Sequence, residues 1–184
     1  ASLCSHYFGT DPLIVGRQGV ESGLRIEIDR PETLGADRIA NAIAAHNRYR
    51  GPLIVVDFGT ATNFDVVDES GAFIGGVLAP GVDLSLDALS TAAAKLPRIR
   101  VRMPERVIGR TTESALESGF FWGHVGLVEG LISRIRSEFG KPMKVVGTGG
   151  LAPLFERASP LIDVIDPELT LRGLLDIYRL NVNR

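Results

Sequence analysis

One cysteine, Cys4, stands in 184 residues. That scarcity excludes an internal disulfide framework and points to a reducing compartment. The three histidines, His6, His46 and His124, are scattered singly, so no zinc-type ligand spacing exists. Long apolar runs are missing too: stretches such as Leu53–Val56 fall far short of a bilayer span. No basic segment followed by an apolar one opens the chain, so secretion is unsupported and a cytoplasmic location is expected. Charge of one sign does not dominate, because 20 Lys+Arg face 22 Asp+Glu for a net −2. Such a balance leaves no electrostatic footprint for nucleic acid or an anionic membrane. An initiator methionine is also absent, and Ala1-Ser2-Leu3 reads like the inside of a protein, so a fragment is expected.

What is present is ordinary globular composition, 45% apolar and 23% charged. A chain of this size is comfortable as one domain and buries roughly 70% of its unfolded surface. Glycine and proline punctuate many short elements. Pro12–Gly16 reads as a short strand, and Leu24–Ile28 alternates apolar and charged residues as a half-buried strand does. Gly35–Arg48 has helical periodicity, with Ile39, Ala40, Ile43 and Ala44 on one face. Leu53–Val56 is a β-branched run of the buried-strand kind. Thr62–Val67 and Ala72–Val77 follow it, joined by the turn Asp68-Glu69-Ser70-Gly71, which predicts an antiparallel meander. A helix through Leu84–Ala92 and a long helix over Thr112–Phe139 come next, the second capped near Thr111/Thr112 and ended by Gly140-Lys141-Pro142. A strand at Met143–Val146, a short helix to Arg157, a strand at Leu161–Ile165 and a helix from Leu169 complete the chain. The order βββ-α-α-β-α-β-α predicts an α/β architecture on a mixed sheet.

Four features could carry chemistry. In Val56-Asp57-Phe58-Gly59-Thr60-Ala61-Thr62-Asn63 a carboxylate closes an apolar strand. It either holds a cation at the strand tip, with Gly59 and Thr60 open to a phosphate, or merely caps a hairpin's amides. In Gly35-Ala36-Asp37-Arg38-Ile39-Ala40-Asn41, Asp37 suits a helix start whereas Arg38 does not, and Asp37 and Asn41 share a face. The group either engages a small hydroxylated carboxylic acid or is a surface Asp–Arg pair. Gly147-Thr148-Gly149-Gly150 either lets a nucleotide lie against bare backbone or is a plain strand-to-helix turn, since it lacks the full dinucleotide spacing. Gly119, Gly123, Gly126 and Gly130 fall on one face of the long helix, each costing about 1 kcal/mol against alanine. Their line calls for a crossing helix or a second subunit, with the second subunit preferred.

Taken together, Gly35-Ala36-Asp37-Arg38, Asp57-Phe58-Gly59-Thr60-Ala61, Gly75-Gly76-Val77-Leu78-Ala79-Pro80-Gly81, Ala94-Lys95-Leu96-Pro97, Ile108-Gly109-Arg110-Thr111-Thr112 and Gly147-Thr148-Gly149-Gly150 resemble type III pantothenate kinase. That family lies within the actin/hexokinase/Hsp70-like superfamily, and the match runs from about Gly9 to Leu180. The resemblance implies an RNase H-like (actin-like ATPase) lobe over residues 51–184, with residues 1–50 the remainder of an N-terminal lobe and its linking helix. It implies ATP-dependent phosphorylation of pantothenate to 4'-phosphopantothenate, towards coenzyme A. Asp37 would be the general base; Gly35, Ala36, Asp37, Arg38 and Thr112 would bind substrate. Asp57 would hold a monovalent cation (K+ or NH4+); Gly59, Thr60, Gly147, Gly149 and Gly150 would serve ATP, which acts with Mg2+. A homodimer through the glycine-faced helix is implied as well. The family's phosphate loop, of Asp-x-Gly-Asn-Thr type, has no match here, so a separate N-terminal lobe is expected and the chain alone is expected to be inactive. Ile28 stands where the family often has tyrosine, and Arg110 where lysine is common. A catalytically silent binding or regulatory module is the alternative, and a nucleotide-binding domain of another class, resting on Gly147–Gly150, is a third reading.

Overall fold

Leu53, Ile54, Val55 and Val56 are all fully buried, and a strand with no solvent face can only be the middle of a sheet covered on both sides. The computed structural model describes residues 2–93 and 96–182, so Ala94 and Lys95 of the Ala94-Lys95-Leu96-Pro97 segment lie outside it. In chain order the elements are α1 (Ser2–Phe8), α2 (Ala36–Tyr49), β1 (Leu53–Phe58), β2 (Ala61–Val67), β3 (Phe73–Pro80), α3 (Val82–Ala92), α4 (Thr112–Phe139), β4 (Lys144–Thr148), α5 (Ala152–Phe155), β5 (Val164–Ile165) and α6 (Leu169–Val182). The sheet runs β3-β2-β1-β4-β5. Its first three strands form the antiparallel meander, and β4 and β5 join in parallel. This is the mixed sheet that the element order predicts, in the α/β architecture of the RNase H-like lobe that the resemblance implies.

Alternation along β1 divides the core. Ile54, Val56 and Phe58 pack with Phe121, Val125, Val128 and Ile132 of α4, while Leu53 and Val55 pack with Ala40 and Ala44 of α2 and Ile177 of α6. Asp57 has the parity of Leu53 and Val55, so the same alternation delivers it to the α2 side. The four glycines of α4 precede its core residues 121, 125, 128 and 132 by two positions each, which turns them about 200° away from the sheet. An added Cβ at Gly119, Gly123 or Gly126 would meet nothing within 4 Å. Among the described residues no crossing helix covers that face.

The meeting of α2 and α6 depends on Gly173, where a Cβ would fall on the carbonyl of Ala40. Relief would require backbone movement, which outweighs the roughly 1 kcal/mol gain in helix propensity from alanine. Gly173→Ala is therefore expected to destabilise by roughly 1–3 kcal/mol as an overpacked core does. A urea-denaturation midpoint at or above the wild-type value would show that the helices can part without cost.

The departures from the sequence reading lie where backbone has no partner. Pro12–Gly16 is a turn rather than a strand, with Arg17 N–H donating to Ile14 O; Leu13 and Val15 pack on the α2 cluster without a strand to pair with. In Leu24–Ile28 only Ile26 bridges, in parallel, to Phe73. The expected strand Leu161–Ile165 shortens to Val164–Ile165 because the Asp163 carboxylate accepts the Val145 N–H at 2.7 Å, a side chain doing the work of a ladder. The helix α1 was not anticipated. No helix of the described residues is long and apolar enough to cross a membrane.

Candidate active site

At the carboxyl end of β1 the α2 side of the sheet changes from apolar to polar. Asp57 pairs in register with Asn63 on β2 and Thr148 on β4, so all three share that face. From α2, the fully buried Asn41 donates through Nδ2 to Asp57 Oδ2 at 3.0 Å. Thr170 of α6 donates in turn to Asn41 Oδ1 at 2.7 Å, which fixes the amide's orientation. Asp57 therefore does not cap the hairpin amides; its oxygen is held by the helix above. Burial pushes the Asp57 carboxyl above the usual carboxylate range, the Asn41 donor opposes this, and the negative charge of Asp37 adds to it. That charge is felt because the exposed Asp37, in the first turn of α2, stands on the same side of the sheet.

Two residues beyond Asn63, Asp65 is fully buried on the same face. Its Oδ1 accepts Arg38 Nε at 2.7 Å and pairs with Arg38 Nη2 at 2.5 Å. Among the described residues its Oδ2 is buried without a hydrogen-bond partner, as is Asn63 Oδ1. Burial raises the Asp65 pKa to about 6 from the ordinary 3.8, against the hydrogen bond and charge of Arg38, with Asp57 and Asp37 pushing further up. Arg38 is thus no surface partner of Asp37. Its guanidinium carbon sits 5.3 Å from the Phe73 ring centroid. At Gly76 an added Cβ would come within 2.9 Å of Arg38 Nη2, so the glycine is the floor on which the guanidinium rests.

Three glycine turns close round the strand tip. Gly149, at φ 92°, sits so close that a Cβ would be 2.5 Å from Asp57 Oδ1 and 2.7 Å from Phe58 N; no other residue suits that conformation and that space. Gly81 N–H donates to Thr60 O at 3.0 Å, and its own Cβ would strike the Gly59–Thr60 backbone. Gly59, Thr60 and Gly150 are exposed there, whereas Gly147 is buried inside β4 with Ile165 over it. Gly35 is the N-cap of α2, beneath Asp37 Oδ1, and Ala36 opens the helix. Thr112 opens α4 after the Thr111/Ser114 capping box and lines an apolar groove with Leu89, Ala115, Leu116, Gly119 and Phe120, which includes neither acid. His124, on the α4 side of the sheet, shares a 3.1 Å hydrogen bond with Thr62, and burial holds its pKa below the usual histidine value. The sheet therefore separates it from Asp57.

The donor set can be tested against the groups a kinase uses. Among the described residues Asp57 Oδ1 takes no hydrogen bond, and hard oxygens of this kind suit K+ or Mg2+. Among the described residues no group of three or more His, Cys, Asp or Glu could hold a metal alone. A cation here would rest on Asp57 and complete its shell from backbone, water or a bound phosphate. Sequence reasoning found Asp37, Arg38, Asn41 and Asp57 but missed Asp65 and Thr170, which hold two of them. The run Asn63-Phe64-Asp65 carried a signal: a carboxylate two residues from an amide inside a strand otherwise apolar.

At the tip of β1, then, a mixed α/β sheet sets three glycine turns about one carboxylate, with a second acid at a helix start on the same side. The model of the type III pantothenate kinase family matches residues 1–134. A type III pantothenate kinase of Paramagnetospirillum magneticum is 59% identical over 180 residues, covering 98% of this chain and 69% of that protein. That of Rhodospirillum rubrum is 57% identical, covering 97% and 70%. Among solved structures, a conserved Baf family protein from Campylobacter jejuni has TM-score 0.63 at 24% identity, over 90% of this chain and 73% of that one. An Alp12 filament subunit has TM-score 0.53 at 12% identity, over 80% and 52%, and like the first shows likeness of fold. The chain belongs to the type III pantothenate kinase family.

Proposed function

We propose that this chain is the C-terminal part of an ATP-dependent kinase that phosphorylates pantothenate to 4'-phosphopantothenate in coenzyme A biosynthesis. The observation that carries the reading is the convergence of Asp37 and Asp57 on one polar cluster at the tip of β1, beside backbone left bare by Gly59 and Gly149. Residues 1–50 are the remainder of an N-terminal lobe with its linking helix, and 51–184 the C-terminal lobe. The Asp37 carboxylate takes the proton of the substrate hydroxyl as that oxygen attacks the γ-phosphorus of ATP, and the bond to ADP breaks. Gly35, Ala36 and Arg38 bind the hydroxy acid. Gly59, Thr60, Gly149 and Gly150 border the nucleotide, and Gly147, buried in β4, shapes the strand that leads into their turn. Phosphoryl transfer depends chiefly on alignment and charge neutralisation, and Mg2+ on ATP with K+ or NH4+ at Asp57 supplies the latter. The exposed glycine face of α4 pairs two subunits, and the enzyme works in the cytoplasm.

The test joins this chain to the N-terminal segment of its relatives and measures ADP release. Turnover dependent on pantothenate, Mg2+ and K+ is expected, with none from the chain alone. Loss of pantothenate dependence would favour the silent binding module, the second reading. Ile28 speaks for that module, because it packs on the apolar cluster under α2 and offers no hydroxyl to a substrate.

A further inference from the structure

We propose that Asp65 is the positioning residue of Arg38, and that with Gly76 and Phe73 it forms a cradle that aims the guanidinium at the carboxylate of the hydroxy-acid substrate. This rests on the kinase reading above for the identity of the anion. It does not rest on it for the cradle.

Arg38 stands in the first turn of α2, where the helix dipole disfavours a cation. Nothing in helix formation places it there. Its guanidinium is nevertheless fixed on three sides. Asp65 Oδ1 takes both Nε and Nη2, Cζ lies over the Phe73 ring at 5.3 Å from its centroid, and the bare Cα of Gly76 makes the floor. Among the described residues Nη1 has no hydrogen bond. One edge of the fork is therefore held and the other is left over, the arrangement that orients a guanidinium for an anion.

Asp65 itself gains little from its position. It is fully buried, its second oxygen has no partner, and a buried ion pair is weak grounds for stability. Its two contacts to one residue are what its burial accomplishes. The juxtaposition also accounts for Gly76, where an added Cβ would come within 2.9 Å of Arg38 Nη2.

The test uses Asp65→Asn, which keeps the shape and removes the charge, in the chain joined to its relatives' N-terminal segment. The pantothenate KM is expected to rise about tenfold or more, with kcat and the ATP KM within about threefold, the pattern of lost uniform binding. Arg38→Lys, which keeps charge without a fork, is expected to raise the same KM. The double variant should be no worse than the poorer single one. A folded Asp65→Asn enzyme with wild-type pantothenate KM, or one altered only in its unfolding midpoint, overturns the proposal. Should the parent enzyme show no pantothenate-dependent turnover, the substrate reading fails, and the cradle is read by nitrogen-15 NMR instead. The Arg38 Nε–H is expected to be protected from exchange in the parent and unprotected in Asp65→Asn, and equal exchange in both overturns it.

Discussion

Asp37→Asn is expected to lower kcat by about 10²–10⁴-fold, the usual contribution of a positioned general base, while the ATP KM stays near wild type. Three acids share this face of the sheet near the tip of β1, and Asp37 is the one exposed to solvent. Asp65 is sealed from solvent and committed to Arg38. Asp57 is half-buried, with Oδ2 held by Asn41 and Oδ1 against the backbone of Gly149. Asp37 is exposed at the start of α2, folded over its own N-cap residue Gly35. A base must come within hydrogen-bond reach of the proton it removes, and a hydroxyl brought against the helix start meets Asp37 first. The amide of asparagine keeps the shape and cannot take the proton. Because Asp37 is exposed and buries no surface, the variant should unfold at the parent's midpoint, which separates lost chemistry from lost fold. The measurement is steady-state ADP release with pantothenate and ATP varied in turn. An Asp37→Asn enzyme with parental kcat removes Asp37 from the base role and moves attention to Asp57, the next acid with an oxygen free of hydrogen bonds.

How much of this could be read from the chain depends on whether a residue's role is set by its neighbours in sequence. The central strand, the meander and α4 were legible because β-branched runs, turn residues and a capped 28-residue helix are local signals. The acid at the strand tip was legible for the same reason, since Asp57 breaks an apolar run. The partnership of Arg38 with Asp65 was not. It spans 27 residues and depends on α2 lying across β1 and β2, a packing that no periodicity announces. Arg38 looked misplaced on its helix, and that local misfit was the trace of a tertiary contact. The glycines divide similarly. Gly149 and Gly81 could be read as turns, but what they turn around, Asp57 and Thr60, appears only when parallel β4 is set beside β1. Segments that lack a pairing partner, Pro12–Gly16 and most of Leu24–Ile28, carried strand patterning without becoming strands, because patterning sets which face is apolar and not whether another strand is there.

The second large effect is on stability. Arg38→Met leaves the Asp65 carboxylate buried with no donor, and stranding one member of a buried pair costs about 3–5 kcal/mol. For a chain of this length that corresponds to a fall in Tm of roughly 6–20 °C. The cost should depend on pH in a definite direction. In the parent, Asp65 titrates at about 6 in the folded state against 3.8 for an ordinary aspartate. Between those values the folded state holds the extra proton, so this group's contribution falls as pH rises from about 4 to about 6 and is level above. Removing Arg38 removes both influences that hold the value down, its hydrogen bond and its charge, and the folded-state titration moves higher still. The deficit of the variant should therefore be greatest at pH 8 and shrink steadily towards pH 5, where Asp65 is protonated in both proteins and only the packing on Phe73 is lost. His124 acts in the opposite sense: its pKa is lowered in the fold, so it costs stability as pH falls below its ordinary value. It does so equally in both proteins and cancels in the difference. Denaturant titrations of the pair at pH 8, 7, 6 and 5 decide the matter. A deficit that is the same at every pH means the Asp65 charge is not what Arg38 neutralises. If the pair is as drawn, adding Asp65→Asn to Arg38→Met should return most of the lost stability at pH 8 and almost none at pH 5.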